Sequence, residues 1–475
     1  MRLTERFEQV RPLDEMELKL VRESLADPRL VDAHEEAVVR TALSLARLTR
    51  VRQGGKDVGV SAWLDPFREE LVRKLEPVIL APRKIDRALL MPHLRELEER
   101  TVATRDALVR RFESRLSADT IDREIRHKAL VMVSGGGGGS AYVYAGVMSL
   151  LADYGLTPSL LVGTSMGAIL SLFRSRVSRF EQDEIVSIVR SLSWRKLFRL
   201  ISTENRFGVP AAMRLFLRAG IGRWFGAEAP GAQAVTLREL PIPTIITVSG
   251  IRRGKLPHPL EFYEKLLNVS RRTLLSPWTL ALSLSRAFGA LQELVTTPDL
   301  LVKLHLGADD STLDFDALDA AGFSSALPGV IHYDVLRDDA RMQKVRAGVC
   351  ETRGLSRLVD GGLVDNLPCR AAWKAVHQGK LGTRNALIVG LNGFAMKLRQ
   401  PLWLPIERLA ELNVARNRRW AHLVHDFTKT LSPLELVPGV ETFARAIALG
   451  REALASDMPL IARLLAPLPR LHGPA

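Results

Sequence analysis

A serine between two glycines is the clearest candidate for chemistry in this sequence. The pentapeptide GTSMG, residues 163–167, follows an apolar run at residues 160–162 and precedes a stretch with helical spacing. A nucleophilic serine is often held on such a sharp turn from strand to helix, where flanking side chains would clash. The turn also places a helix N-terminus where negative charge develops on an acyl group. We therefore predict that Ser165 is a nucleophile; the alternative is a tight turn with an incidental serine.

A run of five glycines, residues 135–139, lies between the apolar segment ALVMVS and the helix-like segment AYVYAGVMSLL. A phosphate-binding loop is disfavoured because no Gly-Lys-Ser/Thr follows. A dinucleotide-binding fingerprint matches formally, but no acidic residue ends the next strand, where GTSMG stands instead. An oxyanion hole fits better, since the next turn supplies Ser165. A flexible linker is the remaining alternative, which the apolar segments on both sides disfavour.

An aspartate followed by two glycines, Asp360 in LVDGGLVDNLP, is the third signal. Alone, such a sequence most often marks a turn. In the order glycine run, G-x-S-x-G, D-G-G and N-x-P, however, the motifs at residues 129–392 resemble the patatin-like phospholipase family. The segment AGFSSALPGV, residues 321–330, is similar to a further family motif upstream of the aspartate.

The resemblance implies a serine-aspartate dyad that hydrolyses acyl esters of lipids without a histidine. On the matching positions Ser165 is the nucleophile and Asp360 the base, and Gly136, Gly137 and Gly138 form the oxyanion hole. The chain departs from the family pattern after the glycine run, where Ser140 and Ala141 replace a basic residue and a glycine. This departure weakens the expectation of a phosphate head group but leaves the acyl chemistry untouched.

A histidine could complete a catalytic triad with the serine and the aspartate, or bind a catalytic metal. His377, His422, His425 and His472 follow Asp360 in the chain, as the histidine of a Ser-Asp-His triad would. His377 lies in a predicted amphipathic helix and is expected to pack or face solvent. His422 and His425, in predicted helical AHLVHDF, lack the glutamate of a zinc-protease motif. We expect no catalytic metal and no cofactor.

The elements that must position these residues follow from the apolar pattern. Residues 1–127 have helical periodicity and are predicted to form an α-helical N-terminal domain. From residue 128 to about 400, strands and helices alternate, which predicts a three-layer α/β/α domain around a mainly parallel sheet. Residues 401–475 return to helical patterning and are predicted to form a C-terminal helical extension.

Composition restricts the class of protein further. The 475 residues are 47% hydrophobic and 25% charged, which excludes a disordered chain. Two cysteines, Cys350 and Cys369, exclude a disulfide scaffold and a cysteine-rich zinc module. The N-terminus lacks the apolar core of a signal peptide, and glycines interrupt the two charge-free stretches that could be mistaken for membrane spans. We expect a cytoplasmic protein without a transmembrane helix.

The net charge of +14 is concentrated in one segment. Residues 190–272 carry 15 basic and 5 acidic residues, whereas residues 1–128 carry 26 and 24. The segment includes SWRKLFRL and PAAMRLFLRAGIGRWFG, in which aromatic residues, leucines and arginines alternate. Such a stretch suits an anionic membrane surface, with Arg214, Arg218 and Arg223 toward the head groups; the alternative is an ordinary basic helix that faces the core. No nucleic-acid-binding module is recognisable.

The combined prediction is a peripheral lipid acyl hydrolase that acts on phospholipid or another acyl lipid. One alternative is a thioesterase or acyltransferase that uses the same dyad on another acyl donor. A second is a non-catalytic membrane-binding protein that keeps the fold for its basic surface.

Overall fold

The structure is a computed structural model. It describes residues 3–471 except for residues 201–207, 210, 228–233, 257, 260–261, 263–288, 290–291, 295, 336–338 and 395–403. Of the residues discussed above, His472 and parts of the 190–272 segment lie outside the described residues.

The described residues form helices, strands and three short 3-10 turns. The helices are α1 (Leu3–Ala26), α2 (Ala33–Arg47), α3 (Ser61–Ile79), α4 (Arg87–Phe112), α5 (Ala118–Arg126), α6 (Val143–Asp153), α7 (Met166–Ser175), α8 (Gln182–Ser191), α9 (Trp194–Leu197), α10 (Leu217–Ile221), α11 (Asp310–Leu313), α12 (Ala317–Ser324), α13 (Ala340–Thr352), α14 (Cys369–His377), α15 (Leu404–Arg418), α16 (Val440–Ala455) and α17 (Met458–Leu465). The strands are β1 (Arg50–Gln53), β2 (Lys56–Gly59), β3 (Ala129–Ser134), β4 (Leu160–Thr164), β5 (Phe198–Leu200), β6 (Ala211–Leu215), β7 (Thr244–Arg252), β8 (Leu301–Leu306), β9 (Gly329–His332), β10 (Leu355–Asp360), β11 (Ala386–Asn392) and β12 (Leu423–Asp426). The 3-10 turns are Gly138–Tyr142, Gly222–Phe225 and Gly361–Leu363.

The chain folds into two compact units. One comprises residues 1–131, 373–388 and 455–475, and the other comprises residues 132–372 and 389–454. This division into units does not test the domain boundaries predicted at residues 127 and 400, which stay predictions.

The N-terminal residues are helical, as the periodicity predicts, and their apolar faces bury one continuous core. Helix α2 begins with a capping box, in which the Asp32 carboxylate accepts the Glu35 N–H and the Glu35 side chain accepts the Asp32 N–H. The helical pattern missed one hairpin, β1–β2. Its two-residue turn consists of Gly54 and Gly55, both at positive φ, and such a turn favours glycine.

Buried charges lie within this first unit. The Glu17 carboxylate accepts hydrogen bonds from Arg40 at 3.1 Å, Arg47 at 2.7 Å and Lys128 at 2.6 Å. The three cations hold the pKa of Glu17 far below its usual value despite its burial. Burial lowers the pKa of Lys128 to about 8. Four charged side chains are therefore stabilised only by each other and their immediate neighbours.

The central sheet has the strand order β10-β7-β4-β3-β11-β12, with β8 also paired to β7. Strands β4 and β7 are parallel, as are β11 and β12, whereas β10 and β8 run antiparallel to β7. The α/β fold with a mainly parallel sheet and flanking helices confirms the predicted class. Strands β3, β4 and β11 are almost wholly buried, which explains why they are continuous apolar runs in the sequence.

The described part of the basic segment is not the single core-facing helix that was the alternative to a membrane surface. Its PAAMRLFLRAGIGRWFG stretch contains strand β6, helix α10 and the turn Gly222–Phe225. Strand β6 lies in a small sheet of order β5-β6-β9. Arg214 is buried, and Arg218 pairs with the fully buried Asp316, so both side chains are used inside the fold. Only Arg223 of the three arginines is exposed, and it stacks on Trp224.

The described C-terminal part contains the predicted helices, α15, α16 and α17, but also a strand and the irregular segment 427–439. Residues 423–426, predicted as helical, form β12 and extend the central sheet beside β11. Residues 427–436, which follow β12, belong to the second unit as β12 does. In the part of the chain that the structure describes, no helix is both long and apolar enough to cross a bilayer.

Candidate active site

The nucleophile candidate Ser165 lies on a sharp turn between β4 and α7. Its backbone has φ +54° and ψ −129°, a conformation that a side-chain-bearing residue rarely adopts. The flanking glycines are required by space. A Cβ at Gly163 would lie 2.6 Å from Cα of Ala168, and one at Gly167 would lie 2.4 Å from the carbonyl oxygens of Ser134 and Gly135. The G-x-S-x-G pattern thus reflects backbone-to-backbone contact on both sides of the serine.

The turn is held by Ser324, at the end of α12. The Ser165 N–H donates a hydrogen bond to Oγ of Ser324 at 2.8 Å, and that hydroxyl donates to the Thr247 carbonyl at 2.6 Å. Ser324 is fully buried and belongs to the 321–330 segment noted in the sequence. Its contact with the elbow was not predicted, because the motif resemblance gave no partner for it.

Asp360 ends β10 and faces the serine. Its carboxylate accepts the Gly362 N–H at 2.6 Å, and it also interacts by hydrogen bonding with the Ser165 side chain. Burial raises the pKa of Asp360 to about 7, although both hydrogen bonds act to lower it. The Asp360 N–H donates to the Ala326 carbonyl at 2.9 Å, and Ser249 donates to the Asp360 carbonyl at 2.6 Å. The structure therefore brings the two predicted dyad residues together on a rigid frame.

The glycine run forms the loop beside this pair. The Gly136 N–H donates to the Asn366 carbonyl at 3.2 Å, so it is occupied. A Cβ at Gly136 would lie 3.1 Å from Cβ of Ser165 and 2.7 Å from Oδ1 of Asn366. Gly136 thus permits a close approach of loop and elbow, and its N–H is not available to an oxyanion while the bond to Asn366 is in place.

The next two glycines present their N–H groups differently. Gly137 and Gly138 both have positive φ, at +155° and +54°. Within the described part of the chain, neither N–H donates a hydrogen bond. Both residues line the same cavity as Ser165 and Asp360. The structure thus leaves two of the three predicted oxyanion donors open beside the serine.

A late segment of the chain supports the far end of the glycine loop. The Gly139 N–H donates to the Pro433 carbonyl at 2.9 Å, and Oγ of Ser140 donates to the Leu431 carbonyl at 3.1 Å. A Cβ at Gly138 would lie 2.3 Å from the Pro433 oxygen. Sequence reasoning missed this contact, since no pattern connects residues so distant in the chain.

The DNLP residues after the D-G-G motif also support the elbow. The Thr164 hydroxyl donates to the Asp365 carbonyl at 3.0 Å. The Asp365 carboxylate accepts a hydrogen bond from Asn417 at 2.8 Å and lies 3.5 Å from Lys303 Nζ. Burial raises the pKa of Asp365 to about 6.

Two apolar cavities meet at Ser165, both within the second unit. The inner cavity, about 90 Å³, is lined mainly by buried aliphatic and aromatic side chains. Its residues are Gly138, Tyr142, Ser165, Met166, Ile169, Leu170, Phe173, Ile185, Ile188, Val189, Leu192, Leu197, Phe198, Leu215, Leu217, Ile221, Ser325, Ile331, Leu436 and Phe443. The outer cavity, about 160 Å³, shares Gly138, Ser165, Ser325, Ile331 and Leu436 with it. Asp360 lines the outer cavity but not the inner one. The exposed side chains of Trp194 and Leu434 also line only the outer cavity.

The histidines lie elsewhere. His377 is buried and stacks on Trp373, with ring centroids 3.8 Å apart. His425 lies in β12, not in the predicted helix, and packs against Phe427. No histidine of the described residues lines either cavity at Ser165.

Comparison with protein families identifies the family of this part of the chain. The family model described as patatin-like phospholipase matches residues 132–373, which is just over half of the 475 residues. The matched range contains the glycine loop, Ser165 and Asp360 but not the supporting segment around Pro433. A search of the curated proteins finds none that matches this chain.

Proposed function

Because the chain belongs to the patatin-like phospholipase family, whose activity is lipid acyl hydrolysis, we propose that it cleaves carboxylic esters of lipids with Ser165 and Asp360. The observation that carries the proposal is a single arrangement. A serine on a strained elbow faces a buried carboxylate. Beside the pair lie two backbone N–H groups that donate no hydrogen bond within the described residues, and two apolar cavities meet at the serine.

In the first step Asp360 accepts the hydroxyl proton of Ser165 while the serine oxygen attacks the ester carbonyl carbon. The tetrahedral intermediate collapses, the bond to the alcohol oxygen breaks, and Asp360 returns the proton to that oxygen. Water then attacks the acyl-serine and loses a proton to Asp360; the bond between the acyl carbon and the serine oxygen breaks, Asp360 returns the proton to that oxygen, and the fatty acid is released. A pKa of about 7 suits a carboxyl that must both accept and donate this proton near neutral pH.

The oxyanion of the intermediate is stabilised by the N–H groups of Gly137 and Gly138. Neither N–H donates a hydrogen bond within the described residues. The loop that carries them is held by hydrogen bonds on each side, at Gly136 and at Gly139. Such preorganised donors cost no reorganisation when charge develops. The first turn of α7 adds the positive end of a helix dipole behind the serine.

The rim of the outer cavity supports peripheral binding to an anionic membrane, on the cytoplasmic side. Trp194 and Leu434 are exposed there, at 45% and 59%, and Arg195 and Lys196 beside Trp194 are exposed as well. Apolar side chains can insert between lipids while neighbouring cations bind anionic head groups. This rim replaces Arg214 and Arg218 as the proposed contact.

Hydrolysis of p-nitrophenyl butyrate and of phospholipid in mixed micelles tests the proposal. Ser165→Ala should lower kcat by about 10⁴-fold or more, and a fluorophosphonate should label Ser165 in the wild-type protein. Ser175→Ala, at a buried serine whose hydroxyl donates to the Leu172 carbonyl within α7, is the matched control. Wild-type activity in the Ser165→Ala variant would refute the assignment of Ser165 as the nucleophile. A parallel assay with acyl-CoA distinguishes the lipid hydrolase from a thioesterase.

Vesicle sedimentation tests the membrane contact. Trp194→Ala combined with Arg195→Glu and Lys196→Glu should reduce binding to anionic vesicles, and salt should weaken what remains. Tyr154→Ala, at an aromatic residue 50% exposed on the loop after α6, should not. Equal binding to neutral and anionic vesicles would exclude an electrostatic contribution to membrane binding.

A further inference from the structure

The position of Asp360 distinguishes the two cavities chemically. A base that takes the serine proton must return it to the departing alcohol oxygen, and must later take a proton from water. Both the alcohol and the water therefore lie on the side of the serine that Asp360 faces. Asp360 lines the outer cavity and not the inner one.

The inner cavity is suited to the other half of the ester. Tyr142 is the one residue with a titratable side chain among the described residues that line it, and its hydroxyl donates to the Leu436 carbonyl at 2.7 Å. Helices α7 and α8 form much of the wall, with Ile169 and Phe173 from one and Ile185 and Ile188 from the other. Apart from the hydroxyls of Ser165, Ser325 and Tyr142, the side chains of this lining are apolar, which suits an unbranched hydrocarbon chain.

The outer cavity is also apolar, although the leaving alcohol must enter it. Met213, Leu327, Val330 and Phe394 contribute to its lining, and Asp360 is the one ionisable group there among the described residues. It is the larger of the two, at about 160 Å³ against about 90 Å³. The small polar alcohol released from a lysophospholipid, a glycerol phosphodiester, would leave this apolar surface exposed to water.

From this arrangement we infer that the substrate spans Ser165 with hydrocarbon on both sides: the cleaved acyl chain occupies the inner cavity, and an alcohol that carries a further acyl chain occupies the outer one. The preferred substrates are then glycerolipids with two or more acyl chains, not lysolipids. The inference rests on the proposed function, since it assumes that Ser165 and Asp360 cleave the ester.

The first test concerns the inner cavity and uses p-nitrophenyl esters from butyrate to palmitate in nonionic micelles. Ile185→Trp fills the cavity and should lower kcat/KM for palmitate by about tenfold or more, with butyrate within about threefold. Val186→Trp is the matched control, because Val186 is also half-buried on α8 but lines neither cavity. An equal loss at every chain length would overturn the assignment of the acyl chain.

The second test concerns the outer cavity and compares diacyl with monoacyl phosphatidylcholine in the same micelles. The wild-type protein should prefer the diacyl lipid by about tenfold or more, and Met213→Trp should reduce that ratio. Val302→Trp, at a half-buried residue of β8 outside both cavities, should leave the ratio unchanged. Equal or faster hydrolysis of the lysolipid by wild type would overturn the inference.

Failure of the proposed function and failure of the two-cavity inference give different results. If neither ester class is cleaved, or if cleavage survives Ser165→Ala, the proposed function is wrong. If cleavage depends on Ser165 but is insensitive to both cavities, the dyad stands and the two-cavity assignment falls.

Discussion

The backbone N–H of Ser165 donates to the hydroxyl of Ser324 at 2.8 Å, so a side chain from α12 fixes the strained backbone of the elbow. The same hydroxyl donates to the Thr247 carbonyl on β7. Ser324 thus connects the backbone of Ser165 to the sheet and lines neither cavity. It is a positioning residue, and its contribution depends on Ser165 keeping φ near +54°.

Replacing Ser324 by alanine should leave the Ser165 N–H and the Thr247 carbonyl without their partner. We expect kcat for p-nitrophenyl butyrate to fall by about 10- to 100-fold with KM little changed, because the elbow is no longer held in its reactive conformation. Steady-state kinetics measures both constants. Ser324→Thr keeps the hydroxyl and should recover part of the loss; no recovery would argue against the hydrogen bond as the cause.

The raised pKa of Asp360 predicts the pH dependence of activity. The carboxyl acts as a base only when ionised, and burial places its pKa at about 7 instead of 3.8. Activity should therefore rise with pH, reach half its maximum near pH 7 and level off above it. Asp365→Asn should leave this midpoint in place, because Asp365 does not line the cavities. A midpoint near pH 4 would contradict the assignment to Asp360.

The same pKa predicts how stability varies with pH. Since the folded-state pKa of Asp360 lies above its unfolded value, the buried carboxyl favours folding below about pH 4, and this contribution is lost as pH rises through about 7. The asparagine side chain of Asp360→Asn cannot ionise, so this variant should keep the stabilising contribution as pH rises. Thermal unfolding should give the variant a higher Tm than wild type at pH 8 and a similar Tm at pH 4. A lower Tm at both pH values would show that asparagine disturbs the site in other ways.

The space around Gly167 predicts a severe effect of one methyl group. A Cβ there would lie 2.4 Å from two backbone oxygens, which no side-chain rotation can relieve. Gly167→Ala should displace the elbow and reduce activity by about 100-fold or more. Gly348→Ala, in helix α13 with open space around it, should instead stabilise the protein by about 0.5–1 kcal/mol. Circular dichroism and esterase assays of both variants compare the two cases.

The charge cluster at Glu17 predicts a stability effect without a catalytic one. Glu17→Gln removes the anion that three buried cations share, and we expect a loss of about 3–5 kcal/mol in the free energy of unfolding. Glu96→Gln, at an exposed ion pair with Lys74, should cost at most about 1 kcal/mol. Urea denaturation measures both. Similar losses in the two variants would mean that the buried cluster reorganises.

The turn at Ser165 and the loop of the glycine run could be predicted from local patterns, and Asp360 from the order of the motifs; the structure places all of them around one cavity. An apolar strand, glycines where backbones touch and a helix after Ser165 leave a pattern within a few residues. Strand β12 and the contact of Gly139 with Pro433 could not be predicted, because they depend on pairing between segments far apart in the sequence. Arg214 and Arg218 were misjudged for a related reason: composition counts charges but does not show which of them a fold uses internally.

The dependence of the glycine loop on Pro433 has a consequence for biosynthesis. A ribosome releases residues 135–139 early, but the carbonyl groups that hold the far end of this loop belong to residues made much later. A nascent chain can form β3, β4 and the elbow while the loop still lacks this support. The described arrangement of the glycine loop can therefore form only after the chain has been synthesised beyond residue 433.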